Sequence, residues 1–199
     1  MTVSPISENL SDYVVTFKNV IPEEDRIRLL QEATEKQKLF APAKIGRGDT
    51  VDRNVRDVKE YLITNPNGSL FHWDSYLFTM FHKFSEMYTR EVYKQFYEIF
   101  NCGYTDQGYN ILKYDVEQKY TYHPDWSCVG DHSKRFMSAV FYLNDDYEGG
   151  ELEFGFGEKI KPEAGDLIFF PSFPLFMHRS LPVKNGTKYA IVTWFITAE

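Results

Sequence analysis

Tyr120-Thr121-Tyr122-His123-Pro124-Asp125 is the stretch from which the fold is read. Tyr120 to His123 is rich in aromatic and β-branched side chains, which suit a pleated, half-buried backbone. Side chains two apart on a strand share a face, so His123 and Asp125 converge on one point and Pro124 is directed away. Working outward, the same grammar of short extended runs continues. Strands are expected at Gly108–Tyr114, Tyr120–His123, Arg135–Leu143, Glu151–Phe154, Lys159–Lys161, Asp166–Phe170 and Lys188–Ile196. Gly149-Gly150, Gly155 to Gly157, Gly165 and Gly186 mark turns between them. Many short strands after a helical half, with no internal repeat, indicate an α+β chain with a mainly β core. The expected architecture is a double-sheet jelly roll with N-terminal helices packed on one sheet.

The first hundred residues follow different rules. Tyr13 to Val20 reads as a strand. Pro22 sits at a first helical position, followed by Glu23, Glu24 and Asp25, whose charges favour a helix N-terminus. The helix spans about 22–36, with Ile27, Leu30 and Ala33 as its apolar stripe. Phe40 to Thr50, with Pro42, Gly46 and Gly48, reads as a loop. Val51 to Ile63 interleaves Arg53, Arg56 and Lys59 with Asp52, Asp57 and Glu60. It is either a solvated strand or loop, or, over Arg47–Ile63, a flap that closes on a substrate. Asn65-Pro66-Asn67-Gly68 is a turn, after which Ser69 can cap a long helical region. Trp73, Leu77, Phe81, Phe84, Tyr88, Val92, Phe96 and Ile99 give that region one apolar face, as one helix or as two broken near Ser85. Such a stripe is core laid on a sheet, not a cofactor box. The division expected is 1–103 as helical support with an edge strand and 104–199 as the β core.

A chain of 199 residues with 43% hydrophobic and 17% aromatic side chains can fill one sizeable core. Its net charge of −7 weighs against nucleic-acid binding, which needs basic side chains to neutralise phosphates. The two cysteines, Cys102 and Cys128, make neither a disulfide framework nor a Cys-x-x-Cys metal pattern, so a reducing, cytoplasmic setting is expected. Met1 to Leu10 carries neither the basic nor the apolar region of a secretory leader, and no apolar run reaches membrane-spanning length.

His-x-Asp alone is a common pattern that also occurs as a satisfied surface pair. A third donor from a distant strand would make it the two-histidine, one-carboxylate set, which leaves coordination positions open on one side of iron(II). The histidines are His72, His82, His123, His132 and His178. His72 and His82 lie in the helical region. His132, in a Gly/Asp-flanked loop, is the fallback ligand. His178 follows the apolar run Leu167 to Phe170 and the Pro171–Pro174 segment, so it can enter the barrel from the opposite sheet. Lys188 adds a second signal, because it shares a strand face with Ala190, Val192, Trp194 and Ile196. A lysine on an inward face is costly unless paired. It either reaches out of the barrel mouth or meets an anion inside, with Glu151 and Glu153 as candidate protein partners. Tyr114, on one face with Asn110 and Leu112, can add a hydroxyl to the same anion.

These residues in this order resemble the 2-oxoglutarate- and iron(II)-dependent oxygenases, in the prolyl 4-hydroxylase branch. The resemblance covers roughly 104–197: Tyr114, His123-Pro124-Asp125, Arg135 leading into Phe141-Tyr142-Leu143-Asn144, Gly149-Gly150-Glu151-Leu152, Pro162-Glu163-Ala164-Gly165-Asp166, His178, Gly186-Thr187-Lys188 and Trp194. It implies a double-stranded β-helix core and Fe(II) held by His123, Asp125 and His178. It further implies 2-oxoglutarate chelating the metal, with its far carboxylate on Lys188 and Tyr114. Arg135, Tyr120 and Trp194 would line the site beside a substrate proline. Arg135 is expected on one face with Met137, Ala139 and Phe141, and Tyr120, opposite in parity to His123, needs a bulge to point inward. The implied reaction consumes O2, converts 2-oxoglutarate to succinate and CO2, and hydroxylates a prolyl residue of a peptide or protein, with ascorbate (vitamin C) as an auxiliary reductant. Phe169, Phe170, Phe173 and Phe176 are either a dry wall for that chemistry or plain core, and Cys128 lies near the site. The same chemistry on another substrate, a non-catalytic jelly-roll binder of a dicarboxylate, and a cupin-type metalloenzyme are the alternatives. Asp125 and Lys188 disfavour the last, and Asp125 fills the position a halogenase leaves vacant.

Overall fold

A computed structural model of the chain describes residues 9–45, 50–94, 103–128 and 130–197. Gly46, Arg47 and Gly48 of the expected loop, Phe96 and Ile99 of the expected stripe, Cys102, and the first eight residues lie outside these. Among the described residues the strands are β1 (Val15–Phe17), β2 (Ala41–Pro42), β3 (Arg56–Asp57), β4 (Lys59–Leu62), β5 (Tyr104–Asp106), β6 (Asn110–Tyr114), β7 (Lys119–His123) and β8 (Arg135–Tyr142). They continue with β9 (Glu148–Gly149), β10 (Leu152–Phe154), β11 (Lys159–Ile160), β12 (Leu167–Pro171), β13 (His178–Ser180), β14 (Val183–Asn185) and β15 (Lys188–Thr197). Two α-helices among the described residues, α1 (Glu23–Glu35) and α2 (Asp74–Glu91), precede the main run of strands.

The larger sheet has the order β1-β12-β8-β15-β6-β4-β2, with β5 also paired to β15, and the smaller has the order β11-β10-β13-β7-β3. From β6 onward the chain alternates between them: β6, β8, β12 and β15 in the larger sheet, β7, β10 and β13 in the smaller. The pairings are antiparallel. That alternation is the double-stranded β-helix. The larger sheet is covered on both faces, so β12 is buried at every position and loses the polar alternation of a half-exposed strand. One face carries Ile111, Met137, Ala139, Phe141, Phe169 and Ile191 against the helices, and the other faces the smaller sheet.

The helices form because one stripe of each can be buried on that sheet. Trp73, Leu77, Phe81 and Tyr88 recur at spacings of three and four and pack on the helix side of the sheet. Complete burial of side chains such as Leu77 and Phe81 contributes about 1.5–3 kcal/mol each. α2 runs unbroken through Ser85, whose hydroxyl is satisfied by the His82 carbonyl. Ser69 does not cap it; a 3₁₀ turn at Phe71–Trp73 leads in, and the Ser69 hydroxyl meets Tyr61 instead. In α1 Leu29 and Ala33 are buried and Leu30 packs half-buried on the same core, while Ile27 is 39% exposed, so Leu29 takes the place expected for Ile27. Pro22 is the N-cap rather than the first helical residue. Tyr13 closes a 3₁₀ turn at Leu10–Tyr13, and only Val15–Phe17 of the expected first strand pairs, on the edge of the larger sheet. The charged segment Val51 to Ile63 forms strands, as one of its readings expected, but they are largely half-buried rather than solvated. β3 joins the smaller sheet on β7 and β4 joins the larger on β6, with Val58 between them buried. Among the described residues no helix is long and apolar enough to cross a membrane.

Candidate metal centre and its cavity

Two adjacent strands of the smaller sheet bring the histidines together. His178 opens β13 and pairs directly with His123, the last residue of β7. Their ring centroids are 4.4 Å apart. Asp125 lies just beyond the end of β7, not on the strand itself, and is buried at 9% exposure. Its Oδ1 is 3.7 Å from His123 Nε2 and its Oδ2 is 3.7 Å from His178 Nε2. One candidate ligand atom from each of the three lies within 4.8 Å of the others. His132 stands in a 3₁₀ turn at Gly130–Lys134, outside that cluster.

The donor chemistry fits a divalent metal. His123 Nδ1 is 2.8 Å from the Thr121 carbonyl, and His178 Nδ1 is 3.0 Å from the Phe176 carbonyl. A carbonyl oxygen only accepts, so each Nδ1 carries a proton, which leaves each Nε2, on the side of Asp125, as the atom that would ligate a metal. Burial, reinforced by the neighbouring His178, holds the His123 ring well below its ordinary pKa and therefore neutral. Burial pushes the Asp125 carboxyl up, but His178, His123, the Ser138 hydroxyl and Arg135 together pull it below its usual value. A neutral His123 imidazole beside an ionised carboxylate is in the protonation state a metal ligand requires.

The cavity runs from this cluster between the two sheets, with about 550 Å³ of space counting its open mouth. At its far end stands Lys188, 3% exposed, paired across the strands with Tyr114. Its ammonium donates to the Gly150 carbonyl at 2.7 Å and to Ser180 Oγ at 2.9 Å, and lies 4.9 Å from the Tyr114 ring centre. Neither Glu151 nor Glu153 bonds it; Glu153 is engaged by Arg179 and Tyr122 on the surface. An ammonium has three protons, and those bonds use two. Burial, with the nearby Lys161 charge, pushes the Lys188 pKa down to about 7. The Gly149-Gly150 turn makes this possible. Both residues are left-handed, at φ +72 and +65, and a Cβ on Gly149 would sit 2.3 Å from the Pro182 carbonyl.

Two bulges aim side chains that alternation alone would point elsewhere. Ser180 pairs with Tyr120 while His178 pairs with His123, so β7 carries one extra residue between them. Tyr120 thereby turns inward and stacks on the His123 ring, with centroids 3.4 Å apart. On β8, Arg135 pairs with Ile196 and Met137 with Phe195, leaving Phe136 as the extra residue. Phe136 and Met137 both enter the helix-side core, and Arg135 is switched to the other face. Arg135 is therefore not on the face of Met137, Ala139 and Phe141, as its spacing implied. Its guanidinium lies 3.8 Å from the Trp194 ring centre, donates to Gln107 Oε1 at 2.6 Å, and lines the cavity mouth with Trp194 and Tyr120.

Of the four phenylalanines, Phe170 packs against His178 at 4.7 Å, joined by Phe154 at 5.9 Å. Phe169 belongs to the helix-side core, Phe176 packs behind the site, and Phe173 is at the surface. Cys128 is exposed. Sequence reasoning missed Ser138, Ser180 and Arg56. Ser180 is two residues after His178 on one strand, so parity would have found it. Nothing in the sequence places Arg56, whose guanidinium covers Tyr120 at 5.1 Å and donates to Glu60 and to the Lys44 carbonyl.

A family model described as the 2OG-Fe(II) oxygenase superfamily matches residues 109–196, which hold β6 through most of β15 and every candidate ligand. The metal and co-substrate of that family are iron(II) and 2-oxoglutarate, with O2. Among curated relatives, the Arabidopsis thaliana protein named Probable prolyl 4-hydroxylase 9 is 33% identical over 115 residues, covering 44% of this chain and 40% of the relative. A PKHD-type hydroxylase of Alteromonas mediterranea is 39% identical over 92 residues, covering 41% and 40%. The chain thus spans about two fifths of the length of these relatives. A Pseudomonas putida prolyl-4-hydroxylase structure superposes with TM-score 0.71 at 18% identity, covering 92% of each chain. A prolyl hydroxylase of Trichoplax adhaerens, solved with a hypoxia inducible factor peptide fragment, superposes with TM-score 0.69 at 18% identity, covering 94% of this chain and 84% of that one. Those two likenesses establish the fold, a jelly roll shared with prolyl hydroxylases.

Proposed function

We propose that this chain is an iron(II)- and 2-oxoglutarate-dependent dioxygenase that hydroxylates a prolyl residue of a peptide or protein. The observation that carries the reading is the shared cavity. Three metal-competent donors stand at one end and a buried ammonium with an uncommitted proton stands at the other. His123, Asp125 and His178 would hold the metal, and Lys188 with Tyr114 the far carboxylate of 2-oxoglutarate. Bound iron(II) with 2-oxoglutarate supplies the oxidising power, consuming O2 and releasing succinate and CO2 as one oxygen atom enters a substrate C–H bond. The protein's part is placement and exclusion of water. Leu112, Val140, Ala190 and Val192 give the cavity an apolar wall, and Phe154 and Phe170 close the side behind His178. Tyr120, Arg135 and Trp194 form the lip on which a substrate segment would lie. In this reading residues 104–199 are the catalytic core, and residues 1–103 support it and contribute Arg56 at the mouth.

The prolyl assignment draws support from the prolyl 4-hydroxylase relatives, and the peptide class from the peptide-bound neighbour. The PKHD-type relative favours a second reading, the same oxygenase acting on a different substrate. Proline-rich peptides incubated with protein, iron(II), 2-oxoglutarate, O2 and ascorbate are expected to gain hydroxyproline by mass spectrometry, with one succinate per hydroxylation. Oxygen on another residue overturns the prolyl assignment and keeps the class. Binding of 2-oxoglutarate with no succinate across a broad substrate panel overturns the enzyme in favour of a binding module.

A further inference from the structure

Asp125 is the one candidate ligand that no strand carries, so something other than a sheet ladder must fix its carboxylate. Ser138 Oγ donates to Asp125 Oδ2 at 2.7 Å, and Ser138 Oγ lies 2.7 Å from Ser172 Oγ. An ionised carboxylate only accepts, so the single Ser138 proton is spent on Asp125. The Ser172 hydroxyl must then donate to Ser138. The result is a directed chain, Ser172 to Ser138 to Asp125, in which each bond polarises the next. Ser138 and Ser172 are both 1% exposed, so water does not compete.

Ser172 also holds the backbone on both sides of this chain. Its carbonyl accepts from the amide of Trp126, the residue after Asp125, and its amide donates to the Phe136 carbonyl at the β8 bulge. The carboxylate and the main chain beside it are thus tied to one residue, just past the end of β12. With Oδ2 engaged by Ser138, Oδ1 is the oxygen left without a hydrogen-bond donor, 3.7 Å from His123 Nε2.

We propose that Ser172 is a positioning residue for the metal: through Ser138 it sets the plane of the Asp125 carboxylate and presents Oδ1 to the ion, though Ser172 itself touches no ligand. The proposal rests on the metal reading of His123, Asp125 and His178. Partners that orient metal ligands typically govern affinity by about 10–100-fold.

The test is cobalt(II) titration of the metal-free full chain, followed by the ion's visible absorption, for wild type, Ser138→Ala, Ser172→Ala, the double variant and Ser138→Thr. Ser138→Ala is expected to weaken binding by about 10-fold or more, and Ser172→Ala by several-fold. The double variant is expected to match Ser138→Ala alone, because the Ser172 hydroxyl acts only through Ser138 and its backbone bonds survive the substitution. Ser138→Thr, which keeps the hydroxyl, is expected to retain most of the affinity. Thermal unfolding of each metal-free variant separates this from general damage, and the comparison is made among those that fold. Wild-type affinity in Ser172→Ala, or losses that add in the double variant, overturn the proposal. Should wild type itself bind no cobalt(II), it is the metal reading that fails.

Discussion

Affinity for 2-oxoglutarate should fall steeply as pH rises, and Lys188 sets the window. Burial lowers its pKa from 10.5 to about 7 in the ligand-free protein. The groups facing it are Tyr114 and Tyr142, both kept neutral by burial, with the Lys161 cation lowering it and the Glu151 carboxylate raising it. A dianion binds the ammonium form and restores its proton. If only that form binds, the apparent dissociation constant rises about 10-fold at pH 8 and about 100-fold at pH 9 relative to pH 6, at 1.36 kcal/mol per tenfold step. Stability of the ligand-free protein runs the other way. The folded pKa lies below the unfolded one, so between about pH 7 and 10.5 the unfolded chain holds a proton that the native chain has released. This residue's contribution to stability therefore rises with pH across that window. Below about pH 7 both states are protonated and the cost of the buried charge, up to ~5 kcal/mol, is present in full. The assay is the KM for 2-oxoglutarate from about pH 6 to 9, beside the melting temperature of ligand-free protein. Lys188→Arg is the control, since arginine stays charged throughout. A flat profile in wild type, or an equal slope in Lys188→Arg, refutes the argument.

Asp125→Ala should abolish succinate formation and weaken metal binding by more than ~100-fold, measured by titration of the metal-free protein. Gly150→Ala forces a left-handed alanine whose Cβ meets Tyr147 at 3.0 Å and the Lys188 stem at 3.2 Å. It should lower stability by about 1–2 kcal/mol and raise the KM for 2-oxoglutarate, read from denaturant melts and initial rates. Arg135→Ala should raise the KM for a peptide substrate several-fold and leave that for 2-oxoglutarate unchanged, because Arg135 lines the mouth rather than the far end. Leu77→Ala should cost about 2–5 kcal/mol of stability with kcat unaffected in folded protein, since Leu77 packs on the far face of the sheet from the cavity.

The β core was legible where side-chain chemistry and turn residues agree. β6, β8, β12 and β15 were placed within about two residues, because a long run of apolar or β-branched side chains between glycines has few other solutions. β13 was not legible. Three residues, His178, Arg179 and Ser180, carry no propensity signal, and the strand exists because β7 and β10 flank it. The charges of β3 and β4 hid their burial rather than their extended backbone. Arg56 and Glu60 lie in adjoining strands and pair with each other, so polarity there marks a cavity mouth rather than solvent.

From sequence alone came the inventory and its order: a His-x-Asp, a distant histidine, a lysine on an apolar strand face, and glycines at turns that only glycine can make. Those are local properties, set by residue type and by the two-residue repeat of an extended chain. Which atoms meet was decided by the tertiary structure. Bulges beside Tyr120 and at Phe136 broke that repeat and turned Tyr120 and Arg135 toward the cavity. Pairing of β13 with β7 set the two imidazoles side by side, and Ser172, thirty-four residues beyond Ser138, closed on it through the neighbouring strand. Register between strands far apart in the chain depends on how two whole sheets pack, and no short stretch of sequence carries that information.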